Sequence, residues 1–425
     1  MPTYFPMRQI CLSTVFIATS SAAVNAADLT PIAPAPSPPY LMPQTMTGDW
    51  FGQGKVMRDA GFDLRLEWSQ FDQGMVQGGG NKAWQYGGKL DALGRFDLSK
   101  FGFWSGLSVT VQGNMNYGES VNGFGGSLFA ENAALFFPGI KGSDASDMMA
   151  LYVQQNFGDR VSVLFGKLNL VEFARATALR GGGGVDTFWN VNLATPITGL
   201  SPPTIFGGQV RINTQPVSFS LSVFDAKDAT HRTVWDHPFE NGVNVMGTAT
   251  LATNIAGLTG SYGIKGIYST QTGPDLSAVI PPPGVTGFLT KQGSYYVGLS
   301  FQQYVIQDPS NPKRGWGLFG EITKADGNPN TLEWSGYFGL GGSSLFPSRS
   351  DDRFGVAYFR YGASSALKAD LAPILNLQDQ SGVELFYNVA VTPWFRVTAD
   401  LQFIRPALGD FPRSVYAGVG TYVKF

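Results

Sequence analysis

The segment 170–204 contains the side chains best suited to bind a small polar molecule. In chain order these are Glu172, Arg175, Arg180, Asp186, Trp189 and Asn190. Guanidinium groups donate hydrogen bonds, carboxylates accept them, and an aromatic face packs against apolar carbon. That combination suits reversible contact with the hydroxyls and ring face of a sugar. The run Gly181 to Gly184 would let the segment bend sharply, since glycine tolerates conformations that other residues avoid.

Covalent chemistry has little support in the sequence. We find no Gly-x-Ser-x-Gly elbow, and the four-glycine run lacks the Gly-Lys-Ser/Thr ending of a phosphate loop. His231 and His237 are the only histidines, and Cys11 is the only cysteine. The sequence therefore predicts no catalytic residue, no metal site and no cofactor. The net charge of −2 gives no basis for a nucleic-acid partner.

The composition is unlike that of a soluble enzyme. Only 14% of the residues are charged, whereas 13% are aromatic and 54 are glycine. Mean hydropathy is −0.02, and beyond the N-terminus no apolar run approaches the roughly 18 residues of a membrane helix. Apolar residues dispersed in alternation fit a membrane β-barrel. A soluble all-β sandwich is the alternative that composition alone leaves open.

Alternation of apolar and polar residues recurs along the chain and predicts about sixteen strands, each long enough to cross a tilted path through a bilayer. The fold predicted is an all-β, transmembrane antiparallel barrel. We expect a bulge or a misplaced strand edge in 161–169 and in 353–361, where the alternation slips. The predicted strands are 62–71, 87–98, 106–115, 149–157, 161–169, 205–213, 217–225, 244–253, 258–268, 294–304, 315–324, 332–340, 353–361, 382–391, 394–403 and 414–425.

Charged residues at the polar positions of these strands are expected to face a water-filled lumen. A charge at the lipid midplane would cost about 2–4 kcal/mol. The simplest role for any one of them is to solvate a wide lumen and pair across it. The charged residues at inward positions are Arg65, Glu67, Arg95, Asp97, Arg211, Glu321, Glu384, Arg396 and Asp400. Of these, Arg95, Asp97, Glu384, Arg396 and Asp400 are the candidates for contact with a solute.

The connections between predicted strands give a second signal. Short turns near residues 158–160, 214–216, 254–257 and 392–393 alternate with mostly long links, as in barrels with short periplasmic turns and long external loops. Two connections break the rhythm, since 325–331 is short and 341–352 is long. The segment 170–204 becomes the third external loop, either folded into the lumen or lying over the external mouth.

Both ends of the chain carry export features. Residues 1–26 resemble a signal peptide with Arg8, an apolar run and a small-residue cleavage site, and 27–46 form a proline-rich linker expected to be periplasmic. The barrel is then assigned to 47–425. The last strand alternates and ends at Phe425, like terminal strands that barrels present to the assembly machinery, which is therefore a predicted partner.

Several motifs resemble the carbohydrate-selective porins (OprB-like). The opening TGDWFG at 47–52, with 59–61 behind it, is similar to the family's start. The segments 382–387, 391–395 and 400–406 are similar to its closing hairpin. The family tends to carry arginine where this chain has Gly54. The motif at 166–169 also matches, and through it the resemblance adds Lys167 and Asn169 to the pore-lining candidates.

The resemblance implies a sixteen-stranded outer-membrane porin through which carbohydrates, such as glucose or small oligosaccharides, diffuse passively. It implies a Gram-negative outer membrane as the location. A general or anion-preferring porin of the same architecture is the alternative, and a barrel serving as an enzyme or adhesin is a more distant one. The sequence leaves open whether the chain is a monomer or a homotrimer.

Overall fold

Sixteen antiparallel strands form one closed barrel, as the sequence predicts. The computed structural model describes residues 43–80, 82–135, 145–175, 177–230, 237–281, 287, 289–344 and 346–425. Among these residues no helix is long and apolar enough to cross a bilayer. The proposed signal peptide 1–26 and residues 27–42 of the proposed linker lie outside the described residues.

The strands follow one another around the barrel in chain order, each paired with its sequence neighbours. The first and last strands close the ring through the register that pairs Glu67 with Lys424 and Phe71 with Gly420. The bounds are β1 Phe62–Gln77, β2 Trp84–Asp97, β3 Leu107–Gly118, β4 Ala145–Phe157, β5 Val161–Asn169, β6 Thr204–Thr214, β7 Val217–Asp225, β8 Val243–Ile255, β9 Leu258–Pro274, β10 Thr290–Asp308, β11 Asn311–Ala325, β12 Leu332–Ser343, β13 Arg353–Ala363, β14 Gln380–Ala390, β15 Phe395–Arg405 and β16 Ser414–Lys424.

Short helical segments occur only between strands or before the first one in the described residues. They are Gly48–Phe51, Gly54–Asp59, Leu98–Phe101, Phe124–Gly126, Ala133–Leu135, Leu170–Ala174, Val191–Ala194, Pro347–Arg349 and Ser365–Leu371.

The outward face of the wall is apolar and exposed, whereas the inward face is largely polar. On β7, Phe219, Leu221 and Val223 are exposed, and the intervening Ser218 and Ser222 are buried inside. This division follows from the period of two along a strand. It gives the barrel a surface that lipid can cover and a lumen that water can enter.

The alternation slips in β5 and β13 for a reason other than the bulges we expected. β5 pairs with both of its neighbours without a register shift, and so does β13 with β14. The shift between β12 and β13 lies in β12, opposite Gly362 and Ala363 and beyond the predicted 353–361. Their inward residues are apolar because they pack against chain inside the barrel, as Leu164 and Leu168 do on β5 and Phe359 on β13. The bulge prediction is wrong, and the slip instead marks where the inner wall is covered.

Most connections at one end of the barrel are longer than those at the other, which gives it a loop end and a turn end. The loops at the loop end are L1 (78–83), L2 (119–144), L3 (170–203), L4 (226–242), L5 (275–289), L6 (326–331), L7 (364–379) and L8 (406–413). Both expected exceptions are present, since L6 is short and the turn 344–352 is long enough to hold the helix Pro347–Arg349. The described bounds add two more, because L1 is as short as L6 and the connection 98–106 is as long as 344–352 and holds the helix Leu98–Phe101.

Residues 43–61 form a small segment packed at the turn end. The Arg58 guanidinium binds Asp49 through two hydrogen bonds of 2.7 Å, and Trp50 Nε1 donates to the carbonyl of Leu64 at 3.2 Å. A Cβ at Gly54 would lie 2.0 Å from the Asp49 carboxylate. A larger residue at 54 therefore needs a different position for Asp49, which here is bound by Arg58.

Candidate functional site within the barrel

L3 crosses the lumen from its base between β5 and β6 to the opposite wall. The amide of Leu179 donates to Gln302 on β10 at 3.4 Å, and the amide of Ile197 donates to the Tyr361 hydroxyl on β13 at 2.6 Å. Most of L3 is buried between these contacts. The loop therefore lies inside the barrel and narrows it, rather than lying over its mouth.

A buried carboxyl on β14 holds the middle of L3. Glu384 accepts hydrogen bonds from the backbone amides of Trp189 and Asn190, the latter at 3.1 Å to Oε2. The Trp189 ring is fully buried and meets Phe71 edge-on, with 5.1 Å between ring centroids. Asn190 Nδ2 reaches Gln402 at 3.0 Å. Trp189, Asn190 and Glu384 thus fix the loop to the wall and offer no free surface to a solute.

L2 enters the lumen beside L3 and joins the same polar cluster. Gln402 Nε2 donates to the carbonyl of Glu131 and to Asp400 Oδ1, both at 2.8 Å. Asp400 is buried, and its Oδ2 has no hydrogen-bond partner among the described residues. The site where L2, L3 and β15 meet is therefore rich in carboxyl groups withdrawn from water.

Glu131 on L2 gives this cluster a pH dependence. Burial raises its pKa to about 8 from the ordinary 4.5, since the charged form is poorly solvated there. The folded protein thus holds a proton that the unfolded chain releases above pH 4.5, and stability falls as pH rises from 4.5 toward 8. A tenfold difference in proton affinity between the two states corresponds to about 1.4 kcal/mol. We expect Glu131→Gln to flatten the unfolding temperature across that range, measured by heat-modified gel migration. An unchanged slope would contradict this assignment.

Charged residues of L3 contact β1 and β16 nearer the turn end. Arg175 Nη1 lies 2.7 Å from Glu67 Oε2 and 3.3 Å from Glu172 Oε2. Arg65 binds Glu172 at 2.5 Å, and Arg175 also donates to the Tyr422 hydroxyl at 3.3 Å. Side chains of Arg175 and Glu172 remain 18% exposed and that of Arg65 39%. This network presents both donors and acceptors to the lumen.

Two other predicted site residues serve the loop itself. Arg180 is buried and donates to the carbonyls of Leu193 and Ala194, which tie the two limbs of L3 together. Asn169 caps the helix Leu170–Ala174 by accepting from the amides of Val171 and Glu172. Both stabilise L3 and are too buried to touch a solute while the loop stays docked.

Lys167 departs from the expectation that it lines the pore. It has the same parity along β5 as Phe165, whose ring is exposed on the outside, and it pairs with the outward Phe206. L4 covers this part of the outer wall, and Lys167 Nζ donates to the carbonyl of Thr230 at 3.0 Å. Burial under L4 keeps the ammonium away from lipid. Lys167 is therefore on the outer face of the barrel.

Arg95 and Asp97 lie inward on β2 but away from L3. They line an open recess near the turn end, together with Asp63 and Asn156. Asp97 also caps the helix Leu98–Phe101 by accepting from the amide of Ser99 at 3.0 Å. These residues border the turn-end mouth and do not join the L3 network.

Asp186 is surrounded by positive charge. Burial favours its neutral form, but Arg353, Arg396, Arg175 and Lys424 attract the carboxylate, and the net effect lowers the pKa of Asp186. The alternation predicted that Arg396 faces the lumen, but it did not single out Arg353 or Lys424. Both stand at strand ends beside a turn, where alternation gives little signal, although Lys424 keeps the inward parity of Tyr422.

The predicted site residues therefore divide into two groups. Those that are buried or on the outer face are Lys167, Asn169, Arg180, Trp189, Asn190, Glu384 and Asp400. Those that keep some exposure inside the barrel are Arg95, Asp97, Glu172, Arg175, Asp186 and Arg396. The second group is the one a solute could contact.

Comparisons with known proteins agree with the barrel. A family model described as "Carbohydrate-selective porin, OprB family" matches residues 81–425. Porin B of Pseudomonas aeruginosa is 26% identical over 189 residues, which is 40% of this chain and 42% of that protein. The aligned part thus spans less than half the length of this curated relative.

Solved structures share the architecture at low sequence identity. The high-pH structure of Pseudomonas putida OprB has a TM-score of 0.79 and 19% identity, covering 91% of this chain and 99% of that one. Its low-pH structure has a TM-score of 0.55 and 18% identity, with 91% and 100% coverage. The DcaP outer-membrane channel of Acinetobacter baumannii has a TM-score of 0.51 and 12% identity, with 86% and 98% coverage. These likenesses concern the fold.

Proposed function

This chain belongs to the OprB family of carbohydrate-selective porins, and we propose that it conducts monosaccharides such as glucose by passive diffusion through its lumen. The family is one of channels, not of enzymes. Its barrels are proteins of the Gram-negative outer membrane. The observation that carries the proposal is the partly exposed network of Arg65, Glu172 and Arg175, where L3 narrows the lumen.

A sugar needs hydrogen-bond donors and acceptors at one level of the pore, because each hydroxyl can do both. The network supplies guanidinium donors from Arg65 and Arg175 and a carboxylate acceptor from Glu172. These groups already bind one another, so a passing hydroxyl exchanges one hydrogen bond for another without large desolvation. Such exchange favours rapid passage over tight retention.

We expect glucose to reduce the ion current of the purified protein in planar bilayers. The double variant Glu172→Ala, Arg175→Ala should raise the half-blocking glucose concentration about fivefold, because each lost hydrogen bond is worth about 0.5–1.5 kcal/mol. Liposome swelling in glucose should confirm that the sugar passes through as well as blocking the current.

The exposed pair Lys55 and Asp59 offers a matched control, since it is also a close ion pair but lies in the N-terminal segment. The variant Lys55→Ala, Asp59→Ala removes the same charges and should leave glucose block unchanged. Equal block in wild type and the network variant, or no glucose flux in wild-type liposomes, would contradict the proposal.

Export and assembly complete the proposed picture. Residues 1–26 act as a cleaved signal peptide, 27–46 as a periplasmic linker and 47–425 as the porin domain. The strand ending at Phe425 engages the barrel-assembly machinery, and lipid surrounds the apolar outer face. The assembly is a monomer or a homotrimer. Support for these roles comes from the sequence features described above.

A further inference from the structure

Three cations stand on the inner wall near the turn end, and we call them the cation band: Arg353, Arg396 and Lys424. Their hydrogen bonds among the described residues go to neutral groups. Arg353 Nη2 donates to the carbonyl of Ala178 at 3.0 Å, and Arg396 Nη1 donates to Asn388 Oδ1 at 2.7 Å. Lys424 Nζ lies 5.6 Å from the centre of the Tyr422 ring.

The register brings the band together. Arg353 pairs with Asn388, whose amide oxygen accepts from Arg396, so β13, β14 and β15 present these groups side by side. Arg396 in turn pairs with Tyr422, two residues before Lys424 on β16. Each cation of the band is half-buried rather than sealed. The Arg396 Nε atom is buried and has no hydrogen-bond partner among the described residues.

Carboxylates near the band are mostly committed to other cations. Glu67 and Glu172 bind Arg65 and Arg175, as described above. Asp351 binds Arg314, and Asp352 binds Arg349 at 2.7 Å. That leaves the Asp186 carboxylate on L3 to balance three positive charges. The lumen at this level therefore carries an excess of positive charge.

Building on the proposed sugar pathway, we propose that the cation band is a carboxylate subsite and that sugar acids, uronates and aldonates, are preferred solutes of this channel. The carboxylate would accept hydrogen bonds from the Arg353 and Arg396 guanidinium groups, which match its planar geometry. The hydroxyls of the same solute would meet Glu172 and Arg175 on L3. A neutral sugar has no carboxylate for the cation band and can use only the contacts with Glu172 and Arg175.

Wild-type protein in planar bilayers at low ionic strength provides the test, because salt screens such charges. Glucuronate should block the ion current at about one tenth of the glucose concentration, in keeping with about 1.4 kcal/mol per tenfold change. A salt gradient should give a reversal potential that favours chloride over potassium. The triple variant Arg353→Gln, Arg396→Gln, Lys424→Gln should abolish the difference between glucuronate and glucose.

Arg160 is exposed in the turn between β4 and β5 at the same end of the barrel. Arg160→Gln should therefore keep the wild-type ratio between the blocking concentrations of glucose and glucuronate. If the triple variant does not fold, the single variants Arg353→Gln and Lys424→Gln should each reduce the ratio. Equal block by glucuronate and glucose in wild type, or a ratio untouched by these variants, would overturn the subsite. The subsite would also be overturned if glucose 6-phosphate were the only anionic sugar that blocked the current. Glucose flux that persists in these cases would leave the sugar pathway standing.

Discussion

Replacement of residues 177–187 by two glycines is expected to raise the single-channel conductance about twofold or more, since a sixteen-stranded barrel encloses a water-filled channel unless chain occupies it. This segment spans the lumen and rests on the far wall through Leu179 and through Ala178, whose carbonyl accepts from Arg353. Its removal leaves the anchor of Trp189 and Asn190 at Glu384 in place. Single-channel recordings in potassium chloride provide the measurement.

The variant must remain a folded barrel for the conductance to be interpretable. Heat-modifiable gel migration and a β-type circular dichroism spectrum should match those of wild type, because the strands and their pairing are untouched. Wild-type conductance in a folded variant would mean that ions follow a route that avoids L3. Selectivity would then depend on wall residues such as Arg95.

Replacement of Glu384 by leucine is expected to loosen L3 and destabilise the protein by about 2–4 kcal/mol, because two buried amides lose their acceptor. These amides belong to Trp189 and Asn190, and both residues are fully buried. We expect a lower unfolding temperature and open-channel current that fluctuates between levels as the loop moves.

Glu384→Gln is the matched control, since its amide oxygen still accepts from Trp189 while its amide nitrogen can donate to the neighbouring Asp400. We expect a quiet channel and an unfolding temperature close to wild type. If leucine and glutamine at this position gave the same stability and the same current noise, the amides of L3 would not depend on Glu384.

The sequence was sufficient to predict the number of strands and most of their starting points. The bounds of β5 and β7 agree with the predicted 161–169 and 217–225. Predicted strands are too short elsewhere, as in β1, which continues to Gln77, and β10, which spans Thr290–Asp308. Beyond the bilayer both faces of a strand meet water or loops, so the contrast that creates the alternation disappears.

Lys167 was placed in the pore because it lies in a family motif, although the alternation along β5 places it on the outer face. Val163, Phe165 and Lys167 share one parity, and the outward position of Phe165 already implied that Lys167 faces outward. The buried anchors of L3 had no comparable signal. Trp189 meets a glutamate nearly two hundred positions further along the chain, and only the folded barrel shows which residues of a loop reach which wall.

The covered Lys167 also sets a limit on the bilayer around this side of the barrel. Hydrocarbon tails cannot surround an ammonium group, so the lipid-facing band on β5 stops at Phe165, about 7 Å closer to the turn end at 3.4 Å per residue. Above that point a neighbouring lipid would meet L4 instead of the strand. The lipid-facing part of the strand itself is therefore shorter at β5 than where apolar residues continue outward, and contact with lipid beyond Phe165 passes to L4, whose Phe239 packs on the outward Phe206 and is 37% exposed.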